Sequence, residues 1–473
     1  MSGAASTTAK ARRTVTLAVA ILGALCILLL APVTPEFTMP ARATAATFAL
    51  VAVLWVGNAM PAFAAGLLGV GLLVASLSLA RTLPAAPGVP DAIGAAGRGV
   101  IVPWQDFAAQ FASAPVVMTL AGMMLAAAGA RTGMDRLVAV RLLAPFVGRV
   151  PLFLAIVLGI GAGLSMFMSN TATAVVLLTV LSPMVTPLGR DAGTARAVVL
   201  AAAVGAAVGG VATPVGTSAN VIALELLGDA GHRITFGRWM LFGLPVAVAV
   251  LALAWWLLRR IAVVGGATAR PLVRPQDPGR LGVRGIAFAL IFLATVVLWV
   301  TSGWTGVPIG VASMVPIALL PALRLVDQHD VRGMDWPTLL LMGSGLCLGI
   351  AMERTGLAAF VVRHVVPEST WLPALLLSFG VVSVVLSTFI SSTAVTNLLI
   401  PLVVALGRPE AVVPCGMAVA FAASMAMALP VSTPPITIAC STGLVRPREL
   451  LGVGWKLGAA GLAAAMLLLA VGG

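Results

Sequence analysis

The strongest constraint in this sequence is a succession of apolar segments, most of them long enough to cross a membrane as an α-helix. Only 9% of the 473 residues are charged and 60% are hydrophobic, whereas a soluble domain carries about 25% charged residues. Because so few charges cannot cover a water-exposed surface, most of the chain must face lipid or other helices. The sequence predicts an all-α polytopic membrane protein, with apolar segments at 14–32, 44–58, 61–80, 115–132, 150–168, 170–188, 196–228, 239–258, 285–302, 306–323, 337–353, 370–390, 392–407, 414–443 and 453–471.

The distribution of charge and of reactive side chains excludes several other classes of protein. The net charge of +13 does not indicate nucleic-acid binding, because the basic residues stand singly or in small groups between apolar segments, as the positive-inside rule predicts. The four cysteines and three histidines have no metal-ligand spacing, and we expect no cofactor. An intramembrane enzyme is a remote alternative, since an HExxH motif and a pair of membrane aspartates are both missing.

Four apolar segments are interrupted by polar residues or prolines near their middle. The interruptions are Ser169–Thr171, Thr213–Thr217, Ser391–Thr393 and Pro430–Pro435. Proline cannot donate to a helical ladder, and open backbone at membrane depth is tolerated only where it is buried in protein or lines a wet cavity. We therefore predict two re-entrant hairpins, at about 150–188 and 370–407, and two broken helices, at about 196–228 and 414–443.

The two halves of the chain repeat the same order of motifs. The tripeptide Arg-Thr-Gly begins at Arg131 and again at Arg354, and it precedes Ser169 by 38 residues and Ser391 by 37. The threonine of the following broken helix comes 48 residues later in the first half and 42 later in the second. This agreement indicates an internal repeat.

The distribution of basic residues predicts that the repeat is inverted. With a cytoplasmic N-terminus, an extracytoplasmic C-terminus and re-entrant hairpins, 20 of the 28 basic residues lie inside. These include the Arg-rich linker from Arg259 to Arg284, and Arg131, whereas Arg354 lies outside. We expect a multi-pass protein of the inner (plasma) membrane whose halves have opposite orientations. Inverted repeats with broken helices that meet at the midplane are typical of secondary transporters.

The polar residues at the two hairpin tips suit an anion and Na⁺. Hydroxyl and amide groups hydrogen-bond to oxyanions, and the N-terminus of the helix that begins at Asn170 attracts negative charge. Carbonyls at the end of the preceding half-helix can hold Na⁺ together with serine oxygens. Ser165 and Ser387 each lie four residues before the tip serine, on the same face of the helix. A packing role for these hydroxyls is the alternative.

The motifs Ser169-Asn170-Thr171, Thr213–Asn220 and Leu429–Pro435 resemble the signature of the divalent anion:sodium symporters. The resemblance extends from the first apolar segment to Val471. It implies about eleven transmembrane helices plus the two hairpins, a homodimer with a static scaffold, and elevator-type alternating access. It also implies substrates such as dicarboxylates, citrate or sulfate.

The resemblance also implies which residues bind the substrate and the ion. This chain departs from the family at Ser392, where asparagine is usual, and at Ser218-Ala219, where two prolines are common. The implied anion ligands are Ser169, Asn170, Thr171, Thr217, Ser391, Ser392, Thr393, Thr433 and Pro434. The implied Na⁺ ligands are Ser165, Ser169, Asn170 and Gly216 at one site, and Ser387, Ser391, Ser392 and Ser432 at the other.

Together these features predict a Na⁺-coupled symporter of a small divalent anion, with a C4-dicarboxylate such as succinate, malate or fumarate as the favoured substrate. An exchanger, a transporter of sulfate or another oxyanion, and a channel are the alternatives. The predicted domains are 1–113 (scaffold helices and an interfacial helix), 114–238 (first transport repeat), 239–336 (scaffold helices and the Arg-rich linker), 337–443 (second transport repeat) and 444–473 (C-terminal helix).

Overall fold

The computed structural model describes residues 2–34, 36–78, 102–188, 193–264, 279–365, 371–429, 432–445 and 447–472. All regular elements among these residues are helical, and 10 helices are long and apolar enough to cross a membrane. The prediction of an all-α multi-pass membrane protein is confirmed. The first half of the chain contains α1 (Ser2–Leu30), α2 (Met39–Val56), α3 (Ala62–Leu73), α4 (Trp104–Gln110), α5 (Ala114–Thr132), α6 (Met134–Leu143), α7 (Val150–Ser165), α8 (Asn170–Val185), α9 (Gly193–Gly209), α10 (Ser218–Asp229) and α11 (Phe236–Val264).

The second half repeats the order of elements that begins at α5. It contains α12 (Val283–Thr305), α13 (Ile309–Ala322), α14 (Gln328–Arg332), α15 (Trp336–Arg354), α16 (Leu357–Val365), α17 (Leu372–Phe389), α18 (Ser392–Val404), α19 (Pro409–Ser424), α20 (Pro434–Ser441) and α21 (Pro447–Gly472). In each half a long helix, α5 or α15, is followed by a short helix, a hairpin, a broken helix and a final long helix. The opposite orientation of the halves stays a prediction.

We name the four interrupted elements by their helices. Hairpin 1 is α7 with α8, hairpin 2 is α17 with α18, broken helix 1 is α9 with α10, and broken helix 2 is α19 with α20. The first helix of each hairpin packs against the first helix of the broken helix in its own half, α7 against α9 and α17 against α19. The second helix of each hairpin also contacts the second helix of the broken helix in the other half. Thus α8 contacts α20 and α18 contacts α10. This crossed packing brings together elements that lie far apart in the sequence.

Small residues and serine hydrogen bonds hold the first arms of the hairpins against their broken helices. In hairpin 1 the contact depends on small residues: a Cβ added to Gly209 would lie 2.7 Å from the carbonyl carbon of Ala162. In hairpin 2 serines form the contact, because the Ser383 hydroxyl donates to the Val419 carbonyl at 2.8 Å and the Ser387 hydroxyl to the Ala423 carbonyl at 2.6 Å. Hairpin 1 has one such bond, from Ser165 to the Ala206 carbonyl, so it combines close packing of small residues with a serine hydrogen bond, whereas hairpin 2 has two serine hydrogen bonds.

The predicted linker from Arg259 to Arg284 is wrong at both ends. Helix α11 continues to Val264, and Arg284 lies in the first turn of α12. The guanidinium carbon of Arg260 lies 3.7 Å from the centre of the Trp256 ring, so an aromatic and a basic side chain stabilise each other beyond the apolar part of α11. Residues 265–278 lie outside the described residues.

Arginines at the ends of α5 and α15 form ion pairs between the two halves of the chain. Arg131 pairs with Asp327 and, at 2.6 Å, with Asp330, both at the start of α14. Arg354 lies 3.9 Å from Asp106 of α4. In each half the Arg-Thr-Gly corner is thus joined to the short helix that precedes the long helix of the other half. Both arginines are exposed.

Replacing Arg131 by glutamine is expected to lower the thermal midpoint in a pH-dependent way. The hydrogen bond from Arg131 lowers the pKa of Asp327 from 3.8 to about 2. A depressed carboxylate pKa stabilises the fold above the unfolded pKa, and this contribution is lost as pH falls towards the folded pKa. The difference between wild type and Arg131→Gln should therefore be largest at about pH 6 and shrink below about pH 4. Arg354→Gln, whose ion pair is longer, is the matched control, and an equal effect at every pH would contradict the assignment.

Candidate anion and sodium site

The serines at the two hairpin tips have the same backbone conformation. Ser169 has φ −63° and ψ 141°, and Ser391 has φ −65° and ψ 144°. Each caps the helix that follows: Ser169 Oγ accepts from the N–H of Ala172, and Ser391 Oγ from the N–H of Ala394, both at 3.2 Å. Because the oxygen accepts the capping bond, the hydroxyl proton can be donated to an anion. Each tip therefore offers a hydroxyl beside a helix N-terminus, where negative charge is stabilised.

Asn170 joins the tip of hairpin 1 to broken helix 1. Its amide is assigned with the nitrogen towards three oxygens, since the reverse orientation would place its oxygen against acceptors. The nitrogen then donates to the Gly216 carbonyl at 3.1 Å, the Ala206 carbonyl at 3.2 Å and Ser165 Oγ at 2.5 Å. Ser165 itself donates to the Ala206 carbonyl. Three of the four residues expected at the first Na⁺ site thus lie in one cluster, and the fourth, Ser169, precedes Asn170 directly.

Asn220 and Thr213 hold the interruption of broken helix 1 in place. The buried Asn220 amide donates to the carbonyl of Gly210 at 2.9 Å and to that of Thr213 at 2.8 Å. The Thr213 hydroxyl donates to the Met166 carbonyl at the tip of hairpin 1 and accepts from the N–H of Gly216 at 3.2 Å. These bonds satisfy backbone groups that the interruption leaves without helical partners.

Two hydroxyl contacts join the halves at the centre of the site. Ser218 Oγ lies 2.5 Å from Thr393 Oγ1 of hairpin 2, and Thr217 Oγ1 lies 3.2 Å from Ser424 Oγ of broken helix 2. Thr217 Oγ1 also caps α10 by accepting from the N–H of Asn220. Sequence reasoning missed Ser424, and it treated Ser218 only as a departure from the family pattern. Nothing in the pattern pairs residues that are 175 and 207 positions apart.

The second half repeats this backbone with fewer side-chain bonds. Thr433 has φ −139° and ψ 143°, close to the −136° and 147° of Thr217. Thr433 is buried, yet its Oγ1 has no hydrogen-bond partner in the described part of the chain. Ser432 donates to the Leu429 carbonyl at 2.6 Å. Residues 430–431 of the predicted interruption lie outside the described residues.

The amides of the first half have no counterpart in the second. Ser392 occupies the position of Asn170 at the start of α18, and Ile436 occupies the position of Asn220 in α20. The Ser387 hydroxyl is bonded to the Ala423 carbonyl, as Ser165 is to Ala206. The second predicted Na⁺ site therefore has the same framework but only hydroxyl and carbonyl oxygens.

The remaining predicted ligands differ in exposure. Thr171, Ser391 and Pro434 are exposed, and Ser392 is half-buried. Thr393 is buried, with its hydroxyl bonded to Ser218.

The segments that build the site are uncharged. Residues 165–173, 210–220, 387–397 and 424–437 contain no Asp, Glu, Lys, Arg or His. Positive potential at the site therefore comes from helix N-termini, each equivalent to roughly half a charge. An anion with two charges needs further positive charge, which a bound cation can supply.

Thr433→Val is expected to abolish anion transport without destabilising the protein. Valine keeps the branched shape, and the lost hydroxyl has no partner among the described residues, so no internal hydrogen bond is lost. Uptake assays and thermal midpoints on the same preparation measure both effects. Thr217→Val is the matched control, since it removes the capping bond to Asn220 and should lower the midpoint as well. Normal uptake by Thr433→Val would show that this hydroxyl is not a ligand.

Comparison with known proteins identifies transporters. The family described as "Sodium:sulfate symporter transmembrane region" matches residues 12–472. An uncharacterised transporter of Haemophilus influenzae is 28% identical over 453 residues, which covers 89% of each chain. The sodium-dependent dicarboxylate transporter SdcS of Staphylococcus saprophyticus is 26% identical over 391 residues, which covers 74% of this chain and 75% of SdcS.

Two further comparisons concern substrate range and fold. An inorganic phosphate transporter of Saccharomyces cerevisiae is 27% identical over 362 residues, which covers 75% of this chain and 38% of that protein. The crystal structure of the YdaH transporter of Alcanivorax borkumensis matches with a TM-score of 0.50 at 15% identity, covering 86% of this chain and 97% of that chain. The latter similarity concerns the fold alone.

Proposed function

The chain belongs to the sodium:sulfate symporter family, and from this premise we propose that it is a secondary active transporter that couples uptake of a small divalent anion to Na⁺. Membership in a family of membrane transporters agrees with the multi-pass fold. The observation that carries the proposal is the pair of serine-capped hairpin tips, each beside a broken helix whose second piece begins after a threonine, with no charged residue in 165–173, 210–220, 387–397 or 424–437.

The anion is bound by hydroxyls and helix N-termini. Ser169 and Ser391 offer hydroxyl protons at the two tips, and Thr433 offers a buried hydroxyl that has no partner among the described residues. A C4-dicarboxylate has a carboxylate at each end and can therefore interact with both tips at once. Such an anion reaches one hydroxyl and one helix N-terminus in each half.

Sodium binds first at the cluster formed by Ser165, Asn170 and Gly216. Three oxygens, including the Ala206 carbonyl, lie within 3.2 Å of the Asn170 nitrogen. A rotation of the amide by half a turn replaces this nitrogen with Oδ1 and leaves oxygen ligands for a cation. The bound Na⁺ then supplies the positive charge that these segments lack. Binding of Na⁺ and of anion is therefore cooperative, because each lowers the electrostatic cost of the other.

Proteoliposome uptake under an inward Na⁺ gradient tests the substrate. We expect saturable uptake of radiolabelled succinate that malate and fumarate inhibit and that sulfate and phosphate do not. Uptake of sulfate or phosphate without uptake of succinate would overturn the dicarboxylate assignment and leave the fold and family unchanged.

An inorganic oxyanion is the second candidate substrate. The family description names sulfate, and one relative is named an inorganic phosphate transporter. Ser392 is shorter than the asparagine usual at this position, which changes the distance between the two tips' polar groups. Competition between succinate and sulfate in the same vesicles separates the two candidates.

Replacing Ser392 by asparagine is expected to change the Na⁺ dependence of uptake. The new amide can reach the backbone of broken helix 2 as Asn170 reaches that of broken helix 1, which adds a ligand to the second Na⁺ site. Uptake measured against Na⁺ concentration should then become steeper, or the preference among anions should shift. The matched control is Thr396→Asn, one turn further along α18. Unchanged Na⁺ dependence and anion preference in Ser392→Asn would show that position 392 contributes no ligand.

The transport cycle proposed here moves the two hairpins and broken helices as one body. The crossed packing of α8 on α20 and of α18 on α10 supports this, because it couples the hairpin of each half to the other half. The helices of 1–113 and 239–336 form a scaffold, and the protein is a homodimer in the inner membrane with a cytoplasmic N-terminus. Native mass spectrometry and reporter fusions at each terminus test these two points, and a monomer or reversed termini would contradict them.

A further inference from the structure

A large cavity lies beside hairpin 1, apart from the anion and sodium site. Its volume is about 590 Å³, and α6, α7 and α12 form most of its walls. Phe167, Phe288 and Phe292 contribute aromatic side chains, while Gly159 and Gly163 leave open space along α7. None of the predicted anion or Na⁺ ligands is among its lining residues. Cavities of about 300–1,000 Å³ with mostly apolar walls and few polar groups are typical of small-molecule sites.

One carboxyl group lies in this apolar wall. Asp135, in the first turn of α6, is 4% exposed and lines the cavity. Its Oδ1 accepts from the N–H of Arg136 at 2.6 Å, whereas Oδ2 has no hydrogen-bond partner in the described part of the chain. Burial raises the pKa of Asp135. A buried carboxyl with an unpartnered oxygen is costly unless a ligand completes it.

Three arginines near the cavity have other partners. Arg131 pairs with Asp330 at 2.6 Å, and Arg141 donates to the Gly279 carbonyl at 3.2 Å. Arg284, one turn before Phe288 on α12, donates to the carbonyl of Arg324. These three cations are thus engaged outside the cavity, and none of them is paired with Asp135.

We propose that this cavity binds a hydrophobic monocation, an amine with an aryl or alkyl tail, whose ammonium group pairs with Asp135. Oδ2 is enclosed by protein in the free state, so a rotation of the Asp135 side chain turns it into the cavity, where the carboxylate accepts from the ammonium. The phenylalanine side chains stabilise the cation and cover the tail. The volume accommodates one ligand of drug-like size. The ligand contacts hairpin 1 through α7 and the rest of the protein through α6 and α12.

An occupied cavity connects hairpin 1 to α12. If hairpin 1 moves relative to α12 during transport, the ligand has to break its contacts with one of them, so it inhibits uptake. This consequence rests on the proposed function, whereas binding of the amine does not. Measuring binding separately from transport therefore distinguishes failure of this inference from failure of the proposed function.

Calorimetric titration of the full chain in lipid nanodiscs tests the site, with empty nanodiscs subtracted. The probes are phenylbutylamine and the neutral phenylbutanol, which have the same tail. We expect saturable binding of the amine, and binding weaker by about tenfold or more for the alcohol and for the amine with Asp135→Asn. Equal affinities for the two probes, or for wild type and Asp135→Asn, would overturn the charge pairing and indicate that the cavity takes only apolar chains.

A second variant covers the case in which Asp135→Asn does not fold. A Cβ added at Gly159 has no atom within 4 Å, so Gly159→Leu fills the cavity while avoiding a close backbone contact. This variant should keep the thermal midpoint of the free protein and lose binding of phenylbutylamine. Unchanged amine binding by Gly159→Leu would show that the ligand does not occupy this cavity.

Discussion

Asn170→Ala is expected to raise the Na⁺ concentration needed for half-maximal uptake by about 10- to 100-fold. The amide is the only side chain that bonds to Gly216, Ala206 and Ser165 together among the described residues. Alanine removes the proposed Na⁺ ligand and leaves the Gly216 carbonyl without this bond. An unsatisfied buried polar group costs about 1–3 kcal/mol, which is the source of the expected range. Uptake of radiolabelled succinate as a function of Na⁺ concentration measures the effect.

Ser392→Ala provides the matched control, since Ser392 occupies the position of Asn170 in hairpin 2. Its hydroxyl is shorter than an amide, so its loss should change the Na⁺ dependence far less. Equal effects of the two substitutions would mean that the halves contribute equally to Na⁺ binding. An Asn170→Ala variant with wild-type Na⁺ dependence would place the ion elsewhere.

Gly216→Ala is expected to destroy the site by forcing the interruption of broken helix 1 apart. An added Cβ would lie 2.5 Å from Gly210 Cα and 2.7 Å from its carbonyl carbon. Both contacts are with backbone atoms, so the clash can be relieved only if the backbone between Gly210 and Gly216 shifts. Overpacking of this kind costs about 1–3 kcal/mol and occasionally more. The same shift would displace the Gly216 carbonyl, which is a proposed Na⁺ ligand. Both uptake and thermal midpoint should fall.

Gly163→Ala is the matched control for this substitution. It adds the same methyl group in hairpin 1, where no atom lies within 4 Å of the new Cβ. Alanine also favours a helix over glycine, by about 1 kcal/mol, so the thermal midpoint should stay the same or rise. Normal uptake by Gly216→Ala would contradict the close backbone approach at Gly210.

The interrupted segments were predictable because their causes are local. The prolines of Thr213–Thr217 and Pro430–Pro435 stand beside hydroxyl residues in an apolar segment, and this combination predicts an interruption. Pro245 and Pro401, by contrast, have no hydroxyl residue next to them and lie inside helices. Serine is a preferred N-cap residue, so Ser169 and Ser391 predicted the first residue of α8 and of α18 to within one position. Length and hydropathy alone then defined the spans.

The short helices α6 and α16 were not predicted, although their signal was present. Each follows the glycine of the Arg-Thr-Gly corner, and Gly133 and Gly356 have φ of 71° and 74°. Glycine adopts this left-handed conformation readily and often ends a helix with it. A second helix that begins directly after the glycine is too short to span a membrane, so a search for apolar spans passes over it.

The contacts between the halves could not be predicted from the sequence. The pairs Ser218–Thr393 and Thr217–Ser424 depend on how two separately predicted segments pack, and spacing along the chain says nothing about that packing. The same holds for Asp135, which is buried beside a cavity with mostly apolar walls. Sequence patterns identified the polar hairpin tips, whereas tertiary packing determines which of their hydroxyl groups are hydrogen-bonded within the protein.

The most direct test of the central claim is succinate uptake into proteoliposomes with and without an inward Na⁺ gradient, with the membrane potential clamped. A Na⁺-coupled symporter concentrates succinate inside the vesicles under the gradient, and it loses this accumulation when K⁺ or choline replaces Na⁺. The wild type should show this behaviour and Asn170→Ala should not at the same Na⁺ concentration. Accumulation that is independent of Na⁺ would contradict Na⁺ coupling, and accumulation that requires a dicarboxylate on the opposite side would identify an exchanger instead.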